Sequence, residues 1–522
     1  MSAKKRPRRD SSADGGAGAY ARALAGQGRA LAGEGEGDFE APKPLTPPRV
    51  VRPDKWRLQA RPSRSEPLPD GLENRALPAF VAQAAASLPQ GVWQAICRHV
   101  SKQPSGPITL TVGTACSGSE FYLTALPHIA EEVSRRLGRD FRFDHRWSCE
   151  FDPRKRQWIM DNFAPKKLFG DITKLALGRC HDYVSGEVST VDEVDLIIAG
   201  TSCKDASRLN PHHACRRNVV DTGGHTTGST FQGLVALVAK FGPRCRMIFL
   251  ENVVTLRDVD PDTGRSNFDG VREAVQALGF GFIAMDFSAR DMGLPVARPR
   301  LYMAGVRCRD EAEAQRMAEG IVATISRKAR AVSLDDLLLP EGEAYAQMRD
   351  WMREGLARQG EQPTILEQGL WHGKHTGPWE EIPPSVAEDV VPPLMANPWV
   401  RTLPARQRDL LLLSLCRLRL ARRQPAAVPL HTSLGWEHIG DVEALPTLVP
   451  SGVFWLVARR RLLLGVEAVR LQGCDASSLP GLRPESHDSS FLMNLAGNAF
   501  CVYQFCAWLF AALASGDLAG QS

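Results

Sequence analysis

The chain is 522 residues long, 43% apolar and 24% charged, a balance that fits two folded units plus a tail and argues against a wholly disordered protein. Its net charge of +5 resides in residues 1–70, where fourteen Lys/Arg face nine Asp/Glu; the remainder carries 50 of each sign, so nucleic acid would have to bind a local patch. The 12 cysteines include no Cys-x-x-Cys pair, which argues against a zinc ribbon or a disulfide framework and suits a reducing compartment.

Residues 1–75 read as a disordered basic tail, rich in Gly, Ala, Pro and Ser and poor in the residues that build a core. The run Lys4-Lys5-Arg6-Pro7-Arg8-Arg9 reads as a nuclear address or a nucleic-acid-binding arm, with a plain solvated tail as the alternative. An organelle transit peptide is a further alternative, since Tyr20–Ala32 bears Arg and no acid; Asp10 and Asp14 count against it. The N-terminus lacks an apolar segment of the secretory kind. Leu410–Leu415 and Val502–Ala514 read as too short or interrupted to cross a membrane, so no membrane partner is expected.

From about residue 105 short apolar runs alternate with helical patterns. Ile108–Val112, Leu196–Ala199, Met247–Leu250, Phe282–Phe287 and Leu301–Val306 read as buried strands. Phe121–Leu137, Pro153–Asn162, Ser229–Phe241 and Phe268–Leu278 read as helices, with Asp152 capping the second. The alternation predicts an α/β fold whose mostly parallel sheet is covered on both faces and binds ligands at the C-terminal strand ends. That unit spans 105–320. Residues 321–455 break the rhythm and read as a smaller domain or insertion, and 456–522 return to a helical pattern.

Three strand ends carry chemistry. Gly200-Thr201-Ser202-Cys203 follows an apolar strand; Cys203 is either a small buried hydrophobe or a nucleophile suited to electron-poor ring carbons. Glu251 ends the next strand, where poor solvation would raise its pKa and let it share a proton; a cap or salt-bridge acid is the alternative. Arg298 and Arg300, two apart, would point to one side of an extended segment and suit an oxyanion or phosphate, unless the segment is a solvated loop. His212-His213-x-Cys215 lacks partners at ligand spacing, so no metal is expected.

In order, these pieces resemble the cytosine-5 DNA methyltransferase family. Thr114-Ala115-Cys116-Ser117-Gly118-Ser119-Glu120 looks like its first loop, Glu150-Phe151-Asp152 like the acid ending its second strand, and Gly170-Asp171-Ile172-Thr173 like the block beside adenine. Gly200–Ser207 resembles the nucleophile loop, Glu251-Asn252-Val253 matches a block unchanged, and Arg298 and Arg300 match the paired arginines. Glu467–Gly473 and Leu495-Ala496-Gly497-Asn498-Ala499 resemble the last two blocks. The likeness covers roughly 105–310 and 455–515. It departs at Thr114, Cys116 and Glu120, at Ser202 where the family has proline, and at Val296 where it has glutamine.

The resemblance implies a Rossmann-like class I S-adenosylmethionine methyltransferase sheet with a smaller target-recognition domain at 321–455. It implies S-adenosyl-L-methionine as cofactor, held by Cys116, Ser117, Gly118, Ser119, Glu150, Phe151, Asp171, Ile172, Thr201, Asn498 and Ala499. Catalysis would rest on Cys203 attacking carbon 6 of a flipped-out cytosine, Glu251 on the ring nitrogen and amine, and Arg300 with Arg298 orienting the carbonyl. The implied partner is DNA, with transfer RNA as the alternative substrate and a non-catalytic binding relative as a third reading. The expected location is the nucleus. Trp371-His372-Gly373-Lys374-His375, Trp379 and the arginines 401, 406, 408, 417, 419, 422 and 423 are candidate nucleic-acid contacts, though Asp409–Arg423 also reads as an amphipathic helix with one Leu face inward. The row Arg459-Arg460-Arg461 reads as surface or backbone-contacting.

Overall fold

The computed structural model describes residues 76–101, 106–116, 118–207, 210, 219–223, 225–344, 381–432, 444–474, 476–482 and 489–516. The basic tail, Ser117, His212, His213, Cys215, Trp371–His375 and Trp379 lie outside the described residues.

The strands β1 (Ile108–Ala115), β2 (Phe141–Cys149) and β3 (Lys167–Phe169) step outward from the middle of a sheet to one edge. After a hairpin of β4 (Arg179–His181) and β5 (Val188–Thr190), the chain returns to place β6 (Leu196–Ala199) on the other side of β1, followed by β7 (Met247–Asn252). β8 (Gly281–Ser288), a short β9 (Val296–Ala297) and β10 (Pro299–Val306) come next, and the seven-stranded order is β3-β2-β1-β6-β7-β10-β8. Pairing is parallel from β3 to β7, and β10 runs antiparallel between β7 and β8. This is the expected Rossmann-like α/β architecture. The order reverses between β1 and β6, so the loops after these two strands flank the crevice where open α/β sheets bind ligands.

The central strand β6 is apolar throughout because both faces are covered. Leu196 and Ile198 join one core with the helices Ala76–Ser87, Gln90–Val100, Leu126–Leu137, Glu311–Lys328 and Val502–Ser515; Ile197 and Ala199 join a second core with His225–Phe241 and Asn267–Ala277. The helix Pro153–Phe163 starts as expected: the Asp152 side chain accepts from the backbone N–H of Arg154 and Lys155, with Pro153 in the first turn. The helix His225–Phe241 begins four residues ahead of the expected Ser229.

The stretch Ser489–Ser515 is long and apolar enough to cross a membrane by length and composition, yet it is divided into the helices Ser489–Asn498 and Val502–Ser515, and 94% of its most apolar window is buried inside the fold. A helix apolar all round is here a core helix.

Residues 381–482 add the helices Pro384–Met395, Pro398–Thr402 and Ala405–Leu420, and a small sheet of β11 (Ala427–Pro429), β13 (Phe454–Leu456) and β14 (Arg461–Leu462). β12 (Leu445–Pro446) pairs with β9 in parallel and splices this region to the arginine segment. Leu410, Leu411, Leu412 and Leu418 join the main core, while Leu413 and Cys416 pack with Ile382 on another side. The helix is therefore buried on more than one face, and the single inward Leu face is corrected. The helix Glu311–Lys328 runs through position 320, where the sequence pattern changes.

Candidate active site

Two loops meet at the crevice, and the second carries Cys203. Gly200 N–H donates to Ala115 O at 3.0 Å, bringing the loop back against β1. A Cβ on Gly200 would stand 2.7 Å from the Phe500 ring, so only glycine fits this approach. Asn252, at the end of β7, donates through Nδ2 to Thr201 O at 3.2 Å. Ser202 N–H donates to Thr230 Oγ1 at 3.2 Å, Asp205 N–H to Thr227 Oγ1 at 3.1 Å, and Thr227 N–H back to Asp205 Oδ2 at 2.8 Å. Thr255 Oγ1 donates to Ala206 O at 2.6 Å. Without the family's proline, the loop is pinned by five neighbouring groups.

Glu251 lies on β7, 8% exposed, with Arg300 Nε 3.2 Å from its Oε1. Burial raises the Glu251 carboxyl above its usual 4.5, against the pull of Arg300 and then Arg298. Burial also raises the Cys203 thiol, with Arg300 lowering it and Glu251 raising it further. The two groups are coupled: a proton on Glu251 removes the charge that opposes a Cys203 thiolate.

Arg298 is 1% exposed and differently used. Its Nη1 donates to Leu448 O at 2.9 Å, and its Nη2 to Gly497 O and Ala499 O at 3.1 and 2.6 Å. Burial brings its pKa down to about 10. With both terminal nitrogens engaged by backbone carbonyls, it clamps a chain crossing. The expectation that both arginines face one pocket is corrected: Arg298 falls between β9 and β10, where the two-residue period of a strand is interrupted.

The first loop holds the other expected residues. Cys116 and Glu120 both lie in the left-handed region, at φ 55 and 54, as does Gly118 at φ 66. Glu120, standing where the family has glycine, is 1% exposed and accepts from Thr114 Oγ1 and, at 2.9 Å, from Ser148 Oγ. Thr114, which stands where the family has an acid, thus meets a carboxylate supplied by Glu120. Cys116 is not a thiolate, its pKa being pushed up to about 12 by burial and then by Glu150 and Asp171. Ser119 is fully buried, its carbonyl accepting from Trp158 Nε1 at 3.0 Å.

Glu150 directly follows β2, is 8% exposed, and accepts from Gly118 N–H at 3.2 Å on Oε2 and from Asp152 N–H at 2.9 Å on Oε1. Each oxygen keeps a free lone-pair direction, suited to a diol. Beside it the Phe151 ring is 78% exposed, a platform for a flat base. Asp171 caps the turn Ile172–Leu175 through Thr173 N–H at 3.0 Å, and Ile172 is buried beneath it. Asn498 reaches the first loop, its Cβ 3.6 Å from where a Gly118 Cβ would stand; Ala499 is buried, its carbonyl held by Arg298. Exposed ring, buried acid and open glycine together fit a nucleoside.

The residue pattern missed Thr227, Thr230, Phe500 and Lys155, whose Nζ stands 3.9 Å from the same Gly118 Cβ position. Phe500 had a signal, as an aromatic directly after Gly497-Asn498-Ala499; the threonines had none, lying over twenty residues from Cys203. Of the outlying arginines, Arg401 donates to Met395 O, Arg406 to Thr432 O, and Arg417 pairs with Glu381 at 3.1 Å, while Arg419, Arg422 and Arg423 are exposed at the end of their helix and Arg408 is half-buried. Arg459 pairs with Asp335 at 2.8 Å, Arg460 donates to Pro393 O, and Arg461 forms a buried pair with Glu467 at 2.6 Å. Among the described residues no group of three or more His, Cys, Asp or Glu is placed to hold a metal.

Residues 133–389 match the family model described as C-5 cytosine-specific DNA methylase. The chain carries a domain of that methylase family. The match takes in β2 to β10, with Glu150, Cys203, Glu251 and Arg300 inside it. The chain is 34% identical over 197 residues to a DNA (cytosine-5-)-methyltransferase DMT5 of Cryptococcus neoformans, covering 37% of this chain and 7% of that protein. It is 31% identical over 111 residues to a protein of the same name from Verticillium dahliae, covering 20% of this chain and 5% of the other. This chain therefore aligns with only a small part of either relative. Solved structures that align with it include the Dnmt2 methyltransferase of S. pombe (TM-score 0.40, 13% identity, 78% of this chain and 98% of that one). It also aligns with the Entamoeba histolytica methyltransferase EhMeth (TM-score 0.37, 9% identity, 78% and 98%).

Proposed function

We propose that the chain transfers a methyl group from S-adenosyl-L-methionine to carbon 5 of cytosine in DNA. The observation that carries this reading is the coupling of Cys203 to the Glu251–Arg300 pair across the ends of β6 and β7. When bound, S-adenosyl-L-methionine supplies an electrophilic methyl group. Glu150 would hold its ribose, Phe151 its adenine, Gly118 and Asn498 would border it, and Lys155 would meet its carboxylate. Asp171 and Ile172 would flank the base from below.

Carbon 5 of cytosine is a weak nucleophile. The Cys203 sulfur adds to carbon 6, and the ring's electron pair moves towards carbon 5. Glu251, whose raised pKa keeps a proton within reach, donates to ring nitrogen 3 as the charge develops. Arg300 steadies Glu251 and lowers the barrier to the thiolate. After carbon 5 has gained its methyl group, a water molecule takes the carbon 5 proton, its electron pair re-forms the ring double bond, and the carbon 6–sulfur bond breaks to release Cys203. Such access requires the base to leave the duplex stack. The exposed Arg419, Arg422 and Arg423 would hold flanking phosphates, with residues 321–455 acting as the target-recognition part. The basic run at 4–9 supports a nuclear location.

The test is methyl transfer from tritiated cofactor to duplex DNA or to transfer RNA, with Cys203→Ala alongside. Label in DNA that vanishes in the variant is expected. Label in RNA alone would transfer the assignment to RNA, and cofactor binding without label in either would mark a non-catalytic binding protein.

A further inference from the structure

We infer that Thr230 is the positioning residue of the Cys203 loop, its hydroxyl doing for Ser202 what a proline ring would otherwise do. The inference rests on Cys203 being the attacking group. The Thr230 hydroxyl proton is directed into its own helix, with Thr226 O at 2.8 Å and Thr227 O at 3.1 Å. Its oxygen is thereby left as an acceptor facing the loop, and Ser202 N–H fills it at 3.2 Å. Thr227, three residues earlier and on the same helical face, accepts from Asp205 N–H at 3.1 Å. Only Cys203 and Lys204 lie between these two anchored amides, so the thiol is suspended across two fixed points.

A proline at 202 has no N–H, so it could not make this bond. Ring and hydroxyl are therefore mutually exclusive ways of stiffening one position. The hydroxyl that holds Ser202 comes from the neighbouring helix, and the helix is itself held by Asp205, which accepts Thr227 N–H in its first turn. Loop and helix fix each other reciprocally. Loss of the Thr230 hydroxyl should let Cys203 swing towards solvent, which would make it more reactive to a small reagent and less well aimed at a base.

The experiment compares wild type, Thr230→Val, Thr230→Ser, Ser202→Pro and the double variant Ser202→Pro/Thr230→Val. Iodoacetamide labelling of Cys203 is followed by mass spectrometry against pH, which reads the loop without any nucleic acid. Covalent capture of a 5-fluorocytosine duplex in the presence of cofactor is read in parallel. Thr230→Val should be labelled several-fold faster, with its pH midpoint lowered, and should capture the duplex about ten- to a hundred-fold more slowly. Thr230→Ser should behave as wild type. Adding Ser202→Pro to Thr230→Val should restore both readouts. Unchanged labelling and unchanged midpoint in a folded Thr230→Val would overturn the inference, as would failure of Thr230→Ser to match wild type. A wild type that never captures the duplex, with the labelling pattern as expected, would overturn the methyl-transfer reading and leave the positioning role standing.

Discussion

The loop after β1 and the loop after β6 lie side by side, and each departs from the family pattern, but they are secured in opposite ways. The first accepts two non-glycine residues in the left-handed region and locks them with a buried carboxylate, Glu120, fed by Thr114 and Ser148. The second is tied through its own backbone N–H groups to two threonines of one helix, the buried Thr227 and the half-buried Thr230. A buried carboxylate network is all-or-none, because each member left unpaired forfeits its full desolvation penalty. The half-buried Thr230 hydroxyl is a single anchor that can be lost without unpairing Thr227 and Asp205. Under the proposed function, the first loop would hold the cofactor and the second would hold Cys203 against the base.

The comparison can be tested from the largest effect downward. Cys203→Ala should lower methyl transfer by at least about 10³-fold while leaving thermal unfolding unchanged; residual transfer within tenfold of wild type would place the chemistry elsewhere. Arg298→Met should strike both loops at once, since Arg298 holds the carbonyls on either side of Asn498, which abuts Gly118, and precedes Phe500, which abuts Gly200. Urea unfolding should show a loss of about 3 kcal/mol, and an unaltered curve would mean the clamp is not needed. Glu120→Gln should lose about 2 kcal/mol and weaken cofactor binding by calorimetry without changing iodoacetamide labelling of Cys203. Phe151→Ala, on an exposed ring, should weaken cofactor binding about tenfold with no change in stability.

The smallest effect concerns pH. Because the Glu251 carboxyl is held above 4.5, the folded state grips its proton more tightly than the unfolded chain does. Ionisation therefore weighs against the fold as pH rises past 4.5. Glu251→Gln should melt higher than wild type at pH 8, and the gap should close by pH 4. A constant gap across that range would show that burial is not what strains this acid.

The sheet was readable because its strands carry short apolar runs, and Cys203 and Glu251 stood out because Glu251 directly follows one and Cys203 lies in the polar loop after another. β2 was not readable from its residues, since Asp144, His145 and Arg146 occupy its half-buried middle. The division of labour between Arg298 and Arg300 was hidden because a period of two holds only inside an unbroken strand. Leu410–Leu413 misled in another way: four consecutive leucines suggest a one-sided helix only when a single surface receives them. Glu120 was legible as a departure, but its repair of Thr114 depends on a turn of the backbone that no local pattern encodes.

The two-residue pairing of β9 with β12 has a mechanical corollary. Leu445 is tied to Val296, and two residues further on Arg298 grips Leu448. Force applied to residues 384–462 is thus delivered to the segment immediately preceding Arg300, and from there to Glu251. A load gripped by the outlying helices would be felt at the acid before it was felt at the sulfur.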